Sequence, residues 1–246
     1  MDSKILKQAA LWLFPVAALC GFVIFPLRPY FLSDTVLSNT LWLDLFDLLF
    51  HWAEPILLSL ICAFLLFCVY RFGTKNIRPL LLLSLGAIIF KYVAMLISDS
   101  VLMGSFDPAG AGLSALISVL AESVIAGFIL LLAHIKITPR KAEEHELSRA
   151  AQKLGREYRE TDAFFPFKKP MDFGNPLLSC AFFGTLIIAC WRTVSYIEDD
   201  LAFGQYQVSD IPFTLLYYTL YILIPAVLGF LLTRAVLAGL LKNDLK

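Results

Sequence analysis

The chain is 246 residues long, 59% hydrophobic and only 16% charged, with a mean hydropathy of +0.76. A soluble domain averages roughly 45–50% apolar and about 25% charged residues, so this composition excludes an ordinary globular enzyme and a disordered tail. Twenty Lys and Arg balance twenty Asp and Glu, and no net charge points to nucleic acid as a partner.

The apolar residues gather into long blocks. A helix needs about 20 mostly apolar residues to cross a bilayer, and the runs at 9–27, 55–70, 79–98, 113–135, 176–197 and 212–233 predict six crossings. Barrel strands would show short alternating segments instead of continuous runs, and lipid offers an open backbone no partner. The predicted fold is therefore all-α: a polytopic membrane protein with six transmembrane helices. Seventeen basic residues fall on the side shared by both chain ends and the second and fourth loops, against Arg28 alone opposite. Basic residues stay on the cytoplasmic side, so both termini are expected there and the cell membrane is the expected location.

The first block begins after Lys4 and Lys7 and is longer than the apolar region of a secretory signal, so it is read as a retained span. Residues 39–54 carry Leu41, Trp42, Leu45, Leu48, Leu49 and Trp52 at helical spacing. Thr40, Asp44, Asp47, His51 and Glu54 fall on the other face, which predicts a helix lying in the outer interface. The acids and the imidazole of that face (Asp44, Asp47, His51, Glu54) have cation-ligand chemistry, although their spacing matches no specific metal motif.

Three ionisable residues fall well inside the predicted spans: Lys91, Glu122 and Arg192. A charge at mid-span costs about 2.5–3.5 kcal/mol on insertion scales, so each should face the bundle and be paired. Ser84, Ala87, Lys91, Ala94 and Ser98 share one helix face, as do Ala115, Ser118, Glu122 and Ala126, and small residues allow close approach. At 1.5 Å per residue Lys91 and Glu122 reach similar depths on consecutive antiparallel helices, which predicts an ion pair. Arg192 lies closer to the far boundary, and its long stem is expected to snorkel outward to Glu198, Asp199 and Asp200.

The segment 136–175 is the sizeable polar stretch. Residues 141–160 are rich in good helix formers, with a thin stripe of Leu147, Ala151, Leu154 and Tyr158. The mix of Phe164, Phe165, Phe167, Lys168 and Lys169 with prolines suits the inner headgroup layer. Asn175 followed by Pro176 reads as a helix cap opening the fifth span. Pro15 and Pro225 inside spans imply kinks.

The five cysteines lie in spans without a CxxC pair, so they are read as small apolar residues. Gly112-Leu113-Ser114-Ala115 resembles the GxSx serine of rhomboid intramembrane proteases, but their chemistry needs a histidine in the sixth helix. None of His51, His134 and His145 lies there. Glu143-Glu144-His145-Glu146-Leu147-Ser148-Arg149 resembles the EExxxR box of CAAX-type membrane proteases with its Arg one residue late. His145-Glu146 starts an HExxH whose last position is Arg149. No phosphate-binding glycine loop is present, so neither an enzyme nor a cofactor is expected. Two classes fit. The chain is expected to be a small permease or permease subunit whose Lys91–Glu122 region lines a polar path. Alternatively, it is a membrane scaffold, assembly factor or sensor that offers residues 136–175 to another membrane subunit or a cytoplasmic protein.

Overall fold

A computed structural model describes residues 3–24, 40–73, 77–103, 110–155, 164–202 and 211–244. The fold is all-α. Six helices follow one another: α1 (Ser3–Leu19, prolonged by a π-helical turn over Cys20–Ile24), α2 (Thr40–Phe72), α3 (Ile77–Met103), α4 (Gly110–Lys153), α5 (Pro176–Ala202) and α6 (Ile211–Asp244). Five of them, α2 to α6, are long and apolar enough to cross a membrane. The apolar stretch of α1, Ala10–Ile24, is shorter, and residues 25–27 of the predicted first crossing lie outside the described residues.

Two helices are longer than their sequence patterns imply. The polar-faced segment 39–54 and the crossing at 55–70 fuse into one 33-residue helix, about 50 Å long. Pro55 removes only the hydrogen bond to the His51 carbonyl, and the helix runs through it. The fourth crossing likewise continues past Pro139 into the polar segment, giving a 44-residue helix of about 66 Å. The boundaries placed at residues 54 and 135 are therefore not helix ends. Both prolines sit among strong helix formers, and neither is followed by glycine or a polar turn.

The bundle is organised around α2, which packs against α1, α4, α5 and α6. Of its apolar window 61% is buried, against 22% for α4, whose Leu116, Leu120, Val124, Phe128, Leu131 and Ile135 point outward. Small residues set the closest crossings. A Cβ on Gly229 would stand 3.1 Å from the Ser59 Cβ, and one on Gly184 would stand 2.6 Å from the Cys62 Sγ. Thr233 Oγ1 donates to the Ser59 carbonyl at 2.9 Å, which ties α6 to α2 at that level. The cysteines are free, and four of the five are buried.

On the other side, Leu13 and Ala17 of α1 pack on Ala87 of α3. The π turn follows, and a Cβ on Gly21 would stand 2.6 Å from the Ala94 Cβ and 2.7 Å from the Lys91 carbonyl. The small face of α3 at Ala87, Ala94 and Ser98 thus meets α1, whereas the sequence pattern assigned it to α4. Between α3 and α4 the contact is made by Ile88, Tyr92 and Met95 with Ala115, Val119 and Ala126.

One end of the bundle carries most of the described basic residues and is the better ordered chemically. Lys141 of α4 donates to the Tyr70 carbonyl in the last turn of α2, and its ammonium lies 4.6 Å from the Tyr70 ring centroid. Lys136 Nζ donates to Ser179 Oγ at 2.9 Å. The aromatic segment after 163 begins with a residue folded inward. Phe164 is fully buried against Tyr70, while Lys168 and Lys169 are exposed. Asn175 explains this: its Oδ1 accepts from Leu177 N at 3.0 Å and Leu178 N at 3.4 Å, and its Nδ2 donates to the Phe164 carbonyl at 2.8 Å. One side chain both caps α5 and fixes the entry of the preceding segment.

Candidate functional site: a buried four-charge network

The ionisable residues of the spans converge near the end of the bundle opposite the basic one. Lys91 Nζ of α3 donates to Glu122 Oε1 of α4 at 2.5 Å and to Glu54 Oε1 of α2 at 3.3 Å. Glu54 Oε2 accepts from Arg192 Nη2 of α5. Tyr92 Oη donates to Glu122 Oε1 at 2.7 Å, and the Lys91 ammonium lies 4.3 Å from the Tyr92 ring centroid. Four helices thus contribute two cations and two carboxylates, and the formal charge of the cluster is zero.

Helix geometry accounts for the convergence. Lys91 and Tyr92 are adjacent on α3, about 100° apart, so one reaches across the bundle while the other covers the α4 side. Glu122 stands one turn from Ala126 on the face of α4 that packs on α3. Glu54 is the last member of the polar face predicted over 39–54. Because α2 is continuous, that face enters the bundle instead of ending at its rim. The π turn of α1 closes the cluster from a further side: Ser98 Oγ donates to the Gly21 carbonyl at 3.3 Å, and Gly21 lies on the Lys91 backbone. π turns in α-helices are frequent at functional sites.

The cluster is graded in exposure. The Lys91 side chain is 2% exposed and that of Glu122 8%, whereas Glu54 is 15% and Arg192 25% exposed. Tyr92 covers the Glu122 end, and the Arg192 end is the more open. Two carboxylates between two cations satisfy the requirement that charges in low dielectric be paired and hydrogen-bonded.

Lys91, Glu122 and Arg192 are brought together here. Arg192 turns inward to Glu54; Glu198, Asp199 and Asp200 continue helix α5, and their side chains lie outside the described residues. The inward turn follows from charge: Glu54 offers a buried carboxylate that would otherwise face Lys91 alone. Of the set Asp44, Asp47, His51 and Glu54, Glu54 is committed to two cations, and the side chains of Asp44 and Asp47 lie outside the described residues. His51 stacks near Tyr221 at 5.9 Å between ring centroids. Among the described residues no group of three or more His, Cys, Asp or Glu could hold a metal ion. Glu54 is the member that the sequence reading left out of the network. A charge count would have found it, since Lys91 and Arg192 with Glu122 alone leave one buried cation unpaired.

The chain matches no protein-family model, no curated protein and no solved structure.

Proposed function

We propose that this multi-pass membrane protein has six crossings with both termini in the cytoplasm, and that it acts as a small permease or permease subunit whose polar path runs through the Glu54–Lys91–Glu122–Arg192 cluster. The cytoplasmic assignment is supported by the excess of basic residues at the end where α2 and α6 finish and α3 and α5 begin.

One observation carries the permease reading. The cluster divides into two neutral pairs on different helix pairs, Lys91–Glu122 on α3 and α4, and Glu54–Arg192 on α2 and α5. Both are tight, and among the described residues the ion pair that joins them is longer, Lys91–Glu54 at 3.3 Å. Separating α1, α3 and α4 from α2, α5 and α6 at this level breaks that contact and strands no charge. A seam that can part without an uncompensated charge is what a path through hydrocarbon requires, because an orphaned charge there is expensive.

Water at the seam tests the reading. Ser118 lies one turn from Glu122 toward the open end and is half-buried. With the five native cysteines replaced, Ser118→Cys is expected to react with a membrane-impermeant thiol reagent added from outside, and prior incubation with the reagent should block a second, permeant label. A silent Ser118→Cys would favour the second reading, a scaffold that presents the projecting part of α4. That alternative draws on Leu147, exposed on the stretch of α4 beyond Pro139, and on Leu154, exposed in the turn that follows.

A further inference from the structure

The open end of the cluster has more donors than the protein uses. An arginine carries five N–H donors in a planar fork. Among the described residues Glu54 is the one acceptor of Arg192, reached through Nη2, and a quarter of the side chain is exposed. Lys91, by contrast, is shut in by Glu122, Glu54 and the Tyr92 ring. A cation entering from the open end would meet Glu54 with each oxygen already facing a positive group. An anion would meet the unused edge of a guanidinium.

Resting on the reading of this cluster as a solute path, we propose that Arg192 is the docking group for a small monocarboxylate. Its two oxygens match the spacing of the fork and accept two parallel N–H bonds, the geometry that favours Arg over Lys for carboxylates. The resident Glu54 carboxylate is then a competitor that holds Arg192 in place while the site is empty.

Charge decides what else must happen. The empty cluster is neutral, so a monocarboxylate brings an excess negative charge into a poorly solvated place. A proton taken from the outside solution onto a Glu54 oxygen restores neutrality and releases Arg192 to the ligand, leaving Lys91–Glu122 intact. The groups facing Glu54 include Lys91 from α3, Arg192 from α5, and, through Lys91, Glu122 on α4 and Tyr92 on α3. Cys20 lies near it in the π turn of α1, and His51 with Tyr221 of α6 lies one turn away. Uptake of one proton with each carboxylate is therefore part of the proposal.

Binding is measured without flux, so it fails separately from the thiol-labelling test of the path. The full-length protein in neutral detergent is titrated with sodium propionate at constant ionic strength, with propionamide as the uncharged isostere. Propionate is expected to bind and propionamide not to bind. Glu54→Gln removes the competitor and supplies the missing positive charge, so it should tighten propionate at least tenfold and abolish the pH dependence of its affinity. Arg192→Lys keeps the charge but loses the fork and should weaken propionate at least tenfold. Should Glu54→Gln fold and bind propionate no better than the parent, or should propionamide compete equally, the proposal is overturned. A purely structural ion pair gives no reason for Glu54→Gln to gain affinity.

Discussion

Removing the Glu122 carboxylate while keeping its shape tests whether the charges of this bundle are coupled. In Glu122→Gln, Lys91 loses its 2.5 Å partner and keeps the Glu54 contact at 3.3 Å, on a carboxylate already engaged by Arg192. The cluster passes from neutral to a net single positive charge. Breaking one side of a buried pair costs about 3–5 kcal/mol, and the surviving contact places this variant near the lower figure, about 3 kcal/mol. Lys91→Met alone should cost a similar amount, since Glu122 is then left with the Tyr92 hydroxyl. In the double variant the cluster is neutral again and Glu54–Arg192 persists. Replacing a buried pair by uncharged groups of similar volume is often close to neutral. What remains is a Tyr92 hydrogen bond to an amide in place of a carboxylate, about 1 kcal/mol.

The double variant should therefore be more stable than either single one by about 2 kcal/mol, where additive losses would make it about 3 kcal/mol less stable; the implied coupling of about 5 kcal/mol is far above the few tenths seen for independent sites. Thermal unfolding in a mild detergent, followed by tryptophan fluorescence, reads this directly. At roughly 2–4 °C per kcal/mol for a chain of this size, each single substitution should lower the midpoint by about 6–12 °C and the double one by far less. Additive losses in the double variant would refute the pairing, and with it the charge-balance reasoning on which the seam rests.

Substitutions at three further positions test local packing and capping. Gly21→Ala should destabilise by about 1–3 kcal/mol, because its Cβ would press on the Ala94 Cβ and the Lys91 carbonyl. Gly239→Ala, in a helical position with nothing within 4 Å, should be neutral or stabilise by up to about 1 kcal/mol in the same assay. Asn175→Ala should cost about 1–2 kcal/mol and speed proteolysis between α4 and α5, since it removes both the cap and the bond to the Phe164 carbonyl. Asn175→Asp keeps the capping oxygen but not the donor. It should recover helix stability without recovering protease resistance.

How far the sequence carried each feature depends on the range of the force involved. Five long apolar helices were legible because apolar length is a local property of the chain. Lys91 and Glu122 could be matched in depth because consecutive helices run antiparallel and rise is fixed per residue. Glu54 was assigned to a water-facing surface because its polar neighbours at 44, 47 and 51 share its face. What overrode that pattern was a tertiary demand, two cations in the bundle with one acid between them. The inward fold of Phe164 was hidden for the same kind of reason, since it depends on Asn175 donating eleven residues back along the chain. The α1 contact of Ala87 and Ala94 could not be separated by pattern from a contact with α4, because small residues mark a close helix without saying which one.

The bonds that join the two groups of helices are unevenly distributed along the bundle. At the basic end α4 is tied to α2 by Lys141 on the Tyr70 carbonyl and to α5 by Lys136 on Ser179 Oγ. Within the group of α2, α5 and α6 the helices approach closely at Gly229 on Ser59 and at Gly184 on Cys62, where an added Cβ would have no room, and Gly184 also faces Ile129 of α4. Within the other group Gly21 and Ala94 do the same for α1 and α3. Close approach at small residues packs the helices of each group tightly. At the charge cluster the groups meet through the 3.3 Å contact of Lys91 with Glu54, carried by a four-carbon stem. Among the described residues the longest of these polar ties is the one at the cluster, so parting of the groups is easier there than at the basic end. That is the side where Arg192 is partly exposed, so the direction of opening and the position of the unused guanidinium donors agree.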